Sequence, residues 1–421
     1  MRLTRPDIAL LGLILLFLAA WILAVFVWDL PGLAAIHAQG LQGDAVQYNA
    51  GAVSLLQHHM FSLDGVHPFY EREIGYSVFI AAIYSVAGID NYLAVFIAQT
   101  VFFLITVVIF EKQVRRVFSP AVSFVTSVLL LALPSVLLIQ LQLFRESLTL
   151  SLMLLFASAF LRLTNRPSMR MVIAAGVCIG LGMLVYAPLL LLPPFLLVFT
   201  KWLKVPLKHL AILMLTAYVV LSPWLIRNMI EVGKPCPTGC YRNALQWYVR
   251  GERSQYIRGL EPYRCLWSEY VSRNWTGRSP YCSFNAVWHR EWPNGFIGVP
   301  QDAVVAREGQ RKILAYFPYY LWDSVSEVVE FHLPFVGPWG RIYNVSAAAA
   351  LFFVYVGCLL ALPVLLCTKH RFFLLLAVYF VALFALTDAT PRYHMPVIFC
   401  YALLGAVGYH RLLTRFRLCP P

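Results

Sequence analysis

The sequence predicts an all-α polytopic membrane protein with about ten transmembrane helices, and three observations indicate that fold class. Of the 421 residues, 60% are hydrophobic and only 13% are charged, whereas soluble domains have about 25% charged residues. The mean hydropathy is +0.70. Apolar stretches of about 20 residues, the length that crosses a bilayer, recur along the chain. These observations exclude an ordinary soluble domain.

The predicted membrane segments are apolar runs bounded by charged or polar residues. They cover residues 8–28, 92–110, 120–140, 147–163, 171–186, 189–199, 207–226, 347–366, 372–387 and 394–409. The first run is longer than the apolar core of a signal peptide, and no A-x-A cleavage site follows it. We therefore expect it to be a membrane anchor.

Basic residues predict the orientation of the chain. When the N-terminus is placed inside, the inner loops are rich in Lys and Arg, as the positive-inside rule requires. These residues are Arg2, Arg5, Lys112, Arg115, Arg116, Arg162, Arg166, Arg170, Lys201, Lys204, Lys208, Lys369, Arg371, Arg411, Arg415 and Arg417. Both termini are therefore expected in the cytoplasm. The net charge of +13 is attributed to topology and to anionic lipids rather than to nucleic acid binding.

Two regions then lie outside the membrane. The first, residues 29–91, belongs to an N-terminal membrane module over 1–226. Its stretch 75–88 is apolar but too short to span, which predicts an interfacial or re-entrant helix. The second, residues 227–344, is polar and rich in Trp and Tyr, and we expect a small soluble region there. The C-terminal membrane helices occupy residues 345–421.

Four cysteines in the second outer region, Cys236, Cys240, Cys265 and Cys282, predict two disulfides in an oxidising compartment. Three pairings are open. We favour Cys236–Cys240 with Cys265–Cys282, because neighbours in sequence close small loops. A zinc site is the alternative, although this spacing fits no zinc ribbon.

The chemistry is expected at the outer membrane boundary, because the predicted spans contain no Asp, Glu, Lys or Arg apart from Arg162 and Lys208 at inner edges. Charges inside a bilayer are costly and mark ion or proton paths. Their absence argues against a proton-coupled transporter. Ionisable residues instead gather at the outer ends of helices: Asp44, Glu71, Arg72, Glu73, Arg145, Glu146, Arg227, Asp388 and Arg392.

Asp44 follows the first span and opens a short amphipathic run over residues 45–57. An acid at this place could act as a base on a substrate that arrives from the lipid. It could also cap the helix by accepting a backbone N–H, and the two roles are compatible. Tyr48 lies four residues further on, shares the same helical face and could position a sugar.

The other candidates also have structural alternatives. Arg145 and Glu146, where the third span meets the fourth, could face one cavity or act as a snorkelling arginine and a helix-start acid. Glu71 and Glu73 could bind substrate or cap the interfacial helix. Arg392 has the planar donor fork that suits a phosphate, or it could anchor the chain at the interface.

No histidine spacing indicates a metal centre, and His58, His59, His67 and His289 are interpreted as structural. Two or three outer carboxylates could hold a divalent cation such as Mg²⁺, Mn²⁺ or Ca²⁺. A metal cofactor is therefore left open.

Four stretches in order resemble the GT-C superfamily of glycosyltransferases. The nearest group is the bacterial relatives of dolichyl-phosphate-mannose protein mannosyltransferases, which include the aminoarabinose transferase that modifies lipid A. The stretches are Gly43-Asp44-Ala45-Val46-Gln47-Tyr48, residues 72–79, residues 223–228 with Gly233-Lys234, and residues 392–396. Ile74 and Ser77 stand where the family has prolines, and Arg145-Glu146 stands where it often has an acidic pair.

The resemblance implies a GT-C-like arrangement of helices and a reaction at the outer face of a bacterial inner membrane. The donor would be a polyprenyl-phosphate sugar, and the acceptor an envelope glycan, glycolipid or protein. Asp44 would act as general base, Glu146 would orient Arg145 or the acceptor, and the anomeric centre would invert. Arg145, Arg227, Lys234 and Arg392 would stabilise the charge on the leaving phosphate. The residues expected to bind substrate are Tyr48, Glu71, Arg72, Glu73, Arg145, Arg227, Lys234, Arg392 and His394. A monomer is expected.

Two other functions remain open at this stage. A polymerase or ligase acting on a polyprenyl-diphosphate glycan would use arginines and a histidine, such as His289, in the large outer region. A lipid or glycolipid flippase would use helices broken at Pro188, Pro193 and Pro194. Those spans supply no charged group near the midplane, which disfavours transport.

Overall fold

The computed structural model consists of α-helices joined by turns and short 3-10 segments. It describes residues 4–29, 31–33, 36, 40–41, 43–70, 72–165, 167–233, 235, 250–251, 254, 302–332, 341–364, 368–387 and 391–414. No strand occurs among these residues, and an isolated bridge joins Ser62 to Pro68.

The helices fall into two groups along the chain. The helices of the first group, which ends at Val232, are α1 (Arg5–Phe26), α2 (Asp44–Gln57), α3 (Gly75–Ala87), α4 (Tyr92–Val117), α5 (Pro120–Leu131), α6 (Pro134–Ile139), α7 (Arg145–Asn165), α8 (Met169–Val185), α9 (Leu192–Val198), α10 (Thr200–Leu203) and α11 (Leu207–Val232). The later helices are α12 (Asp302–Ala315), α13 (Phe317–Phe331), α14 (Arg341–Ala361), α15 (Thr368–Leu386) and α16 (Ile398–Leu413). The 3-10 segments are Ala187–Leu191, Leu362–Val364 and Pro391–Val397.

The predicted fold class is confirmed in outline: the described chain is all-α, and its apolar helices support an integral membrane protein. Six of these helices are long and apolar enough to cross a membrane, namely Arg5–Phe26, Tyr92–Val117, Arg145–Asn165, Leu207–Glu231, Asn344–Val364 and Arg392–Leu413. Five further apolar helices are shorter, including Gly75–Ala87 and Met169–Val185. The figure of about ten spans stays a prediction.

The stretch predicted as one span over residues 120–140 forms two helices instead. Helix α5 ends at Leu131, and α6 begins at Pro134. Leu133 between them has extended backbone angles, φ −72° and ψ 117°. A proline disfavours helical geometry in the residue before it and has no N–H to donate. Pro134 is therefore the physical reason for the break.

Small residues let four helices of the bundle approach closely. A Cβ atom on Gly408 of α16 would lie 1.9 Å from the carbonyl oxygen of Gly357 on α14. A Cβ atom on Gly176 of α8 would lie 2.7 Å from Cβ of Thr216 on α11. Small residues at helix crossings allow this backbone approach in membrane proteins, where packing rather than the hydrophobic effect holds helices together.

The chain divides into two compact units. Unit 1 comprises Met1–Pro237, Arg341–Tyr379 and Met395–Pro421, and unit 2 comprises Thr238–Gly340 and Phe380–His394. Unit 1 therefore contains helices α1 to α11. The core of unit 2 includes a row of aromatic rings: Phe331 lies 5.6 Å from Phe384, which lies 5.0 Å from Tyr393 between ring centroids.

Close packing of α3 positions the segment before it within unit 1. Ser77 Oγ donates to the backbone carbonyl of Tyr48 at 3.0 Å, which ties α3 to α2. At the start of α3, a Cβ atom on Gly75 would lie 2.6 Å from the carbonyl oxygen of Leu184 on α8. Residues 72–73 are thereby held between α2 and the helices α7 and α8.

Candidate active site

Two ion pairs form the centre of the candidate site. Arg72 Nη2 pairs with Asp44 Oδ1 at the start of α2, and Arg145 Nη1 at the start of α7 pairs with Glu73 Oε2. The side chains are 7% exposed for Arg72, 17% for Asp44, 9% for Arg145 and 3% for Glu73. Removing one member of a buried pair leaves an uncompensated charge, which costs about 3–5 kcal/mol.

Local geometry explains why Asp44 stands at this place. Gly43 is the N-cap of α2, with φ at 62°, and Asp44 is the first helical residue. A positive φ favours glycine, and an acid in the first turn is favoured by the positive end of the helix dipole. The Gly43-Asp44 pair therefore starts the helix and leaves the carboxylate near Arg72.

Additional hydrogen bonds hold Arg72 and Glu73 in place. Arg72 Nε donates to Gln47 Oε1 at 2.6 Å, one helical turn after Asp44. The backbone N–H of Ala187 donates to Glu73 Oε1 at 2.8 Å. The Arg72 guanidinium and the Glu73 carboxylate are thus each held by a second contact, as expected for preorganised groups in a binding site.

Tyr48 lies beside both ion pairs. Its ring meets Tyr76 edge-on at 5.1 Å, and the guanidinium of Arg72 lies 5.7 Å from the ring centroid. Burial raises the pKa of Tyr48, while the charges of Arg145 and Arg72 lower it less strongly. The phenol therefore stays protonated and can donate a hydrogen bond. Its oxygen is buried and has no hydrogen-bond partner among the described residues.

Two buried arginine nitrogens of this site also lack hydrogen-bond partners among the described residues. They are Nη1 of Arg72 and Nε of Arg145. A buried polar atom left unsatisfied costs about 1–3 kcal/mol, so such atoms call for an explanation. Together with the hydroxyl of Tyr48, they give the site three polar atoms that a ligand could satisfy.

A third carboxylate lies next to the two ion pairs. Glu146 follows Arg145 in the chain, is 1% exposed and interacts electrostatically with the Arg145 guanidinium. The site therefore brings together three carboxylates, those of Asp44, Glu73 and Glu146, and two guanidiniums. The ring of Tyr186 packs against Arg145, and the distance from the guanidinium to the ring centroid is 4.8 Å.

Gln99 supports the site from behind and was missed by the sequence reasoning. Its Oε1 accepts from the hydroxyl of Tyr76 at 3.0 Å. Its Nε2 donates to the carbonyl oxygens of Gln140 at 2.8 Å and Gln142 at 3.0 Å. These bonds fix the turn that leads into Arg145. The available signal was an amide in the middle of an otherwise apolar span, where polar side chains form interhelical hydrogen bonds.

Arg227 is placed differently from the other predicted site residues of unit 1. Its Nη1 donates to the carbonyl oxygen of Phe69 at 3.0 Å and to Asn228 Oδ1 at 2.8 Å. Its guanidinium lies 4.9 Å from the ring centroid of Trp224, and Trp224 packs edge-on against Phe61. In the described residues, Arg227 therefore supports the loop between α2 and α3.

Arg392 and His394 belong to unit 2. His394 is fully buried, and its Nδ1 lies 2.8 Å from the carbonyl oxygen of Phe331. A carbonyl only accepts, so Nδ1 carries the proton. The guanidinium of Arg392 lies 5.6 Å from the ring of Tyr393.

The remaining predicted site residues lie outside the described ranges. They are Glu71, Lys234, Cys236, Cys240, Cys265 and Cys282, together with His289 and Asp388. The predicted disulfides therefore stay predictions. Within the described ranges, no group of three or more His, Cys, Asp or Glu side chains is placed to hold a metal ion. Asp44 and Glu73 instead face guanidiniums.

Comparison with known families confirms the predicted resemblance. Residues 67–226 match the family model of dolichyl-phosphate-mannose-protein mannosyltransferase. The matched segment contains Arg72, Glu73, Arg145 and Glu146, while Asp44 precedes it. This match supports the predicted class, a membrane glycosyltransferase. No curated protein matches the chain.

Two solved oligosaccharyltransferase structures share the fold at low sequence identity. The archaeal oligosaccharyltransferase AglB from Archaeoglobus fulgidus, in complex with an inhibitory peptide and a dolichol-phosphate, is 13% identical with a TM-score of 0.51. The match covers 97% of this chain and 52% of AglB, so the chain spans about half the length of that protein. The apo oligosaccharyltransferase from Archaeoglobus fulgidus is 12% identical with a TM-score of 0.52, covering 97% of this chain and 53% of that one. ArnT from Cupriavidus metallidurans, bound to undecaprenyl phosphate, is 17% identical with a TM-score of 0.46, covering 96% of this chain and 79% of ArnT.

Proposed function

We propose that this chain transfers a sugar from a polyprenyl-phosphate donor to an envelope glycan, glycolipid or protein. The reaction would take place at the outer face of a bacterial inner membrane, with both termini in the cytoplasm. The observation that carries the proposal is the buried cluster of Asp44, Arg72, Glu73, Arg145 and Glu146 in a membrane protein. The match of the chain to a mannosyltransferase family model and its similarity in fold to an oligosaccharyltransferase support the same proposal.

Asp44 is the proposed general base. In the transfer, the acceptor oxygen bonds to the anomeric carbon of the sugar while the bond from that carbon to the phosphate oxygen breaks. The acceptor's proton goes to Asp44, and the lipid phosphate leaves with the bonding electrons. Attack opposite the leaving phosphate inverts the anomeric centre. General base assistance of this kind contributes about 10²–10⁴-fold in rate.

Arg72 is the proposed first contact for the donor phosphate. Its Nε and Nη2 are bonded to Gln47 and Asp44, and its Nη1 has no hydrogen-bond partner in the described residues. A phosphate oxygen at Nη1 would satisfy that buried donor and stabilise the charge that develops on the leaving group. The negative charge of the phosphate would also weaken the attraction between this guanidinium and Asp44, which would leave the carboxylate better able to accept a proton.

Arg145 and Tyr48 are the proposed sugar-side contacts. Nε of Arg145 and the hydroxyl of Tyr48 are both buried and can both donate to a sugar hydroxyl. Glu146 would orient the acceptor or Arg145. Arg145 pairs with Glu73 through Nη1, and we assign its remaining buried donor, Nε, to the sugar.

Mass spectrometry of envelope lipids and glycans tests the proposal. Cells lacking the gene are complemented with wild type, Asp44→Asn or Asp90→Asn. Asp90 is an exposed acid of the same outer region with φ at 62°, a conformation that asparagine tolerates. We expect a sugar-modified species that wild type and Asp90→Asn restore and Asp44→Asn does not. Restoration by Asp44→Asn would instead favour a ligase with an Arg/His site, and an unchanged envelope would refute the proposal.

A further inference from the structure

Helix α13 exposes its apolar face and buries its polar face. Four exposed side chains follow one stripe at spacings of four residues: Phe317, Leu321, Val325 and Val329, at 47%, 47%, 50% and 46% exposure. Trp322 lies beside them on the same side and is 37% exposed. Residues four apart share one face of a helix, so these five side chains form a continuous apolar surface.

The opposite face of α13 carries the charges. Asp323 is 1% exposed and Glu327 is fully buried. Both carboxylates meet Arg250 Nη1, at 3.0 Å and 2.9 Å. Arg250 Nη2 also donates to Ser324 Oγ at 2.8 Å, and the guanidinium lies 4.9 Å from the ring of Tyr320. The polar face is therefore sealed inside unit 2 around one arginine.

This arrangement is the reverse of a helix on a water-facing domain. In water, burying an apolar side chain such as Leu or Phe gains about 1.5–3 kcal/mol, and burying a charge is costly even when it is paired. A sequence folding in water would turn the stripe inward and the carboxylates outward. The opposite choice is favourable where the medium outside the stripe is itself apolar.

The packing of α13 places it beside the end of an apolar helix. The hydroxyl of Tyr320 donates to the carbonyl oxygen of Leu386 at 2.8 Å, and Arg250 Nη2 donates to that of Ala385 at 3.1 Å. These carbonyls belong to the last turn of α15, where intrahelical donors run out. Residues Arg371–Leu386 of that helix are apolar, and they coincide with the predicted span 372–387, so the end of α15 lies at the predicted membrane boundary. With 15 residues, α13 is about 22 Å long and too short to span.

We propose that α13 lies at the membrane surface, with Phe317, Leu321, Trp322, Val325 and Val329 inserted among lipid acyl chains. This differs from the expectation of a soluble region throughout 227–344. A second copy of the chain is the competing occupant. The stripe has five side chains that are 37–50% exposed, whereas a standard protein interface has about 20–30 residues a side. A phospholipid bilayer needs no such minimum, and an aromatic at its boundary is favoured.

Site-specific photo-cross-linking of the full chain in phosphatidylethanolamine–phosphatidylglycerol vesicles tests this placement. Benzoylphenylalanine replaces Val325 or Val329 in separate proteins. Ile105, 53% exposed in the span Tyr92–Val117, is the lipid-facing control. Arg311 on α12, with its side chain 83% exposed, is the polar control. Each protein is first checked for a single symmetric peak in size-exclusion chromatography. Because two positions of the stripe are tested in separate proteins, the test stands even if one of the two variants misfolds.

The expected result is phospholipid adducts on peptides containing residue 325 or 329. Their yield should lie within threefold of that at residue 105 and be at least tenfold above that at residue 311. Adducts to a second copy of the chain would overturn the proposal in favour of a dimer interface. Absence of any adduct at both stripe positions, with a normal yield at residue 105, would overturn it in favour of a water-facing helix. None of these outcomes depends on the glycosyltransferase proposal.

Discussion

Arg72 and Glu73 are consecutive residues, yet their side chains pair with two different helices. Arg72 reaches Asp44 on α2, and Glu73 reaches Arg145 on α7. One short segment therefore joins two helices through two ion pairs, and it supplies the cation in one pair and the anion in the other. A donor phosphate that engages Arg72 would act directly on Asp44, while Glu73 and Arg145 keep the segment in place.

The Glu73–Arg145 pair is expected to be required for stability. Glu73→Gln and Arg145→Gln should each destabilise the protein by about 3–5 kcal/mol, because each leaves the other charge buried and uncompensated. The double variant should be less destabilised than the sum of the two. Thermal unfolding in detergent measures all three. The exposed pair Arg311–Glu308, 4.0 Å apart, is the control, and Arg311→Gln should leave stability unchanged. Additive losses in the double variant would contradict direct coupling.

Replacing Tyr48 by Phe separates a structural hydroxyl from one that binds substrate. The hydroxyl is buried without a hydrogen-bond partner in the described residues, so its loss should leave thermal stability unchanged or raise it. If the hydroxyl donates to the sugar, kcat/KM for transfer should fall by about tenfold, the effect of one lost hydrogen bond of about 1.4 kcal/mol. Wild-type kcat/KM in Tyr48→Phe would contradict the assignment.

The close approach of α3 to α8 gives a test of how residues 72–73 are held. A Cβ atom in Gly75→Ala would meet the carbonyl oxygen of Leu184 at 2.6 Å, and overpacking of this kind costs about 1–3 kcal/mol. Gly12→Ala is the matched control, because nothing lies within 4 Å of a Cβ atom there. The control should be as stable as wild type or slightly more so. Equal stability of both variants, measured by thermal unfolding, would show that this contact does not position the segment.

The sequence predicted most helices and the charged residues at their ends, because apolar runs and the charges that flank them are local signals. The helix Asp44–Gln57 begins where the amphipathic run begins. The partners of each charge were not predictable: Glu73 and Arg145 are 72 positions apart, and one sequence contains no record of long-range contact. Pro134 was present in the sequence, but the apolar run across it concealed the break.

Helix α13 shows a second limit of sequence reasoning. Its period of apolar and polar residues indicates an amphipathic helix, but not which face is buried. That depends on Arg250, which pairs with both Asp323 and Glu327 inside unit 2, and on the medium outside. Arg250 stands 73 positions before Asp323, so the sequence alone does not show this pairing.

The rate of sugar transfer by Asp44→Asn tests the central claim most directly. The sugar missing from cells without the gene identifies the donor, and single-turnover transfer is then measured in proteoliposomes together with binding of the polyprenyl phosphate. Asparagine keeps an oxygen that Arg72 can bond but cannot take up the acceptor's proton. The account predicts donor affinity within about threefold of wild type and a loss of about 10²–10⁴-fold in the transfer rate. Transfer at the wild-type rate by a folded, donor-binding Asp44→Asn protein would contradict it.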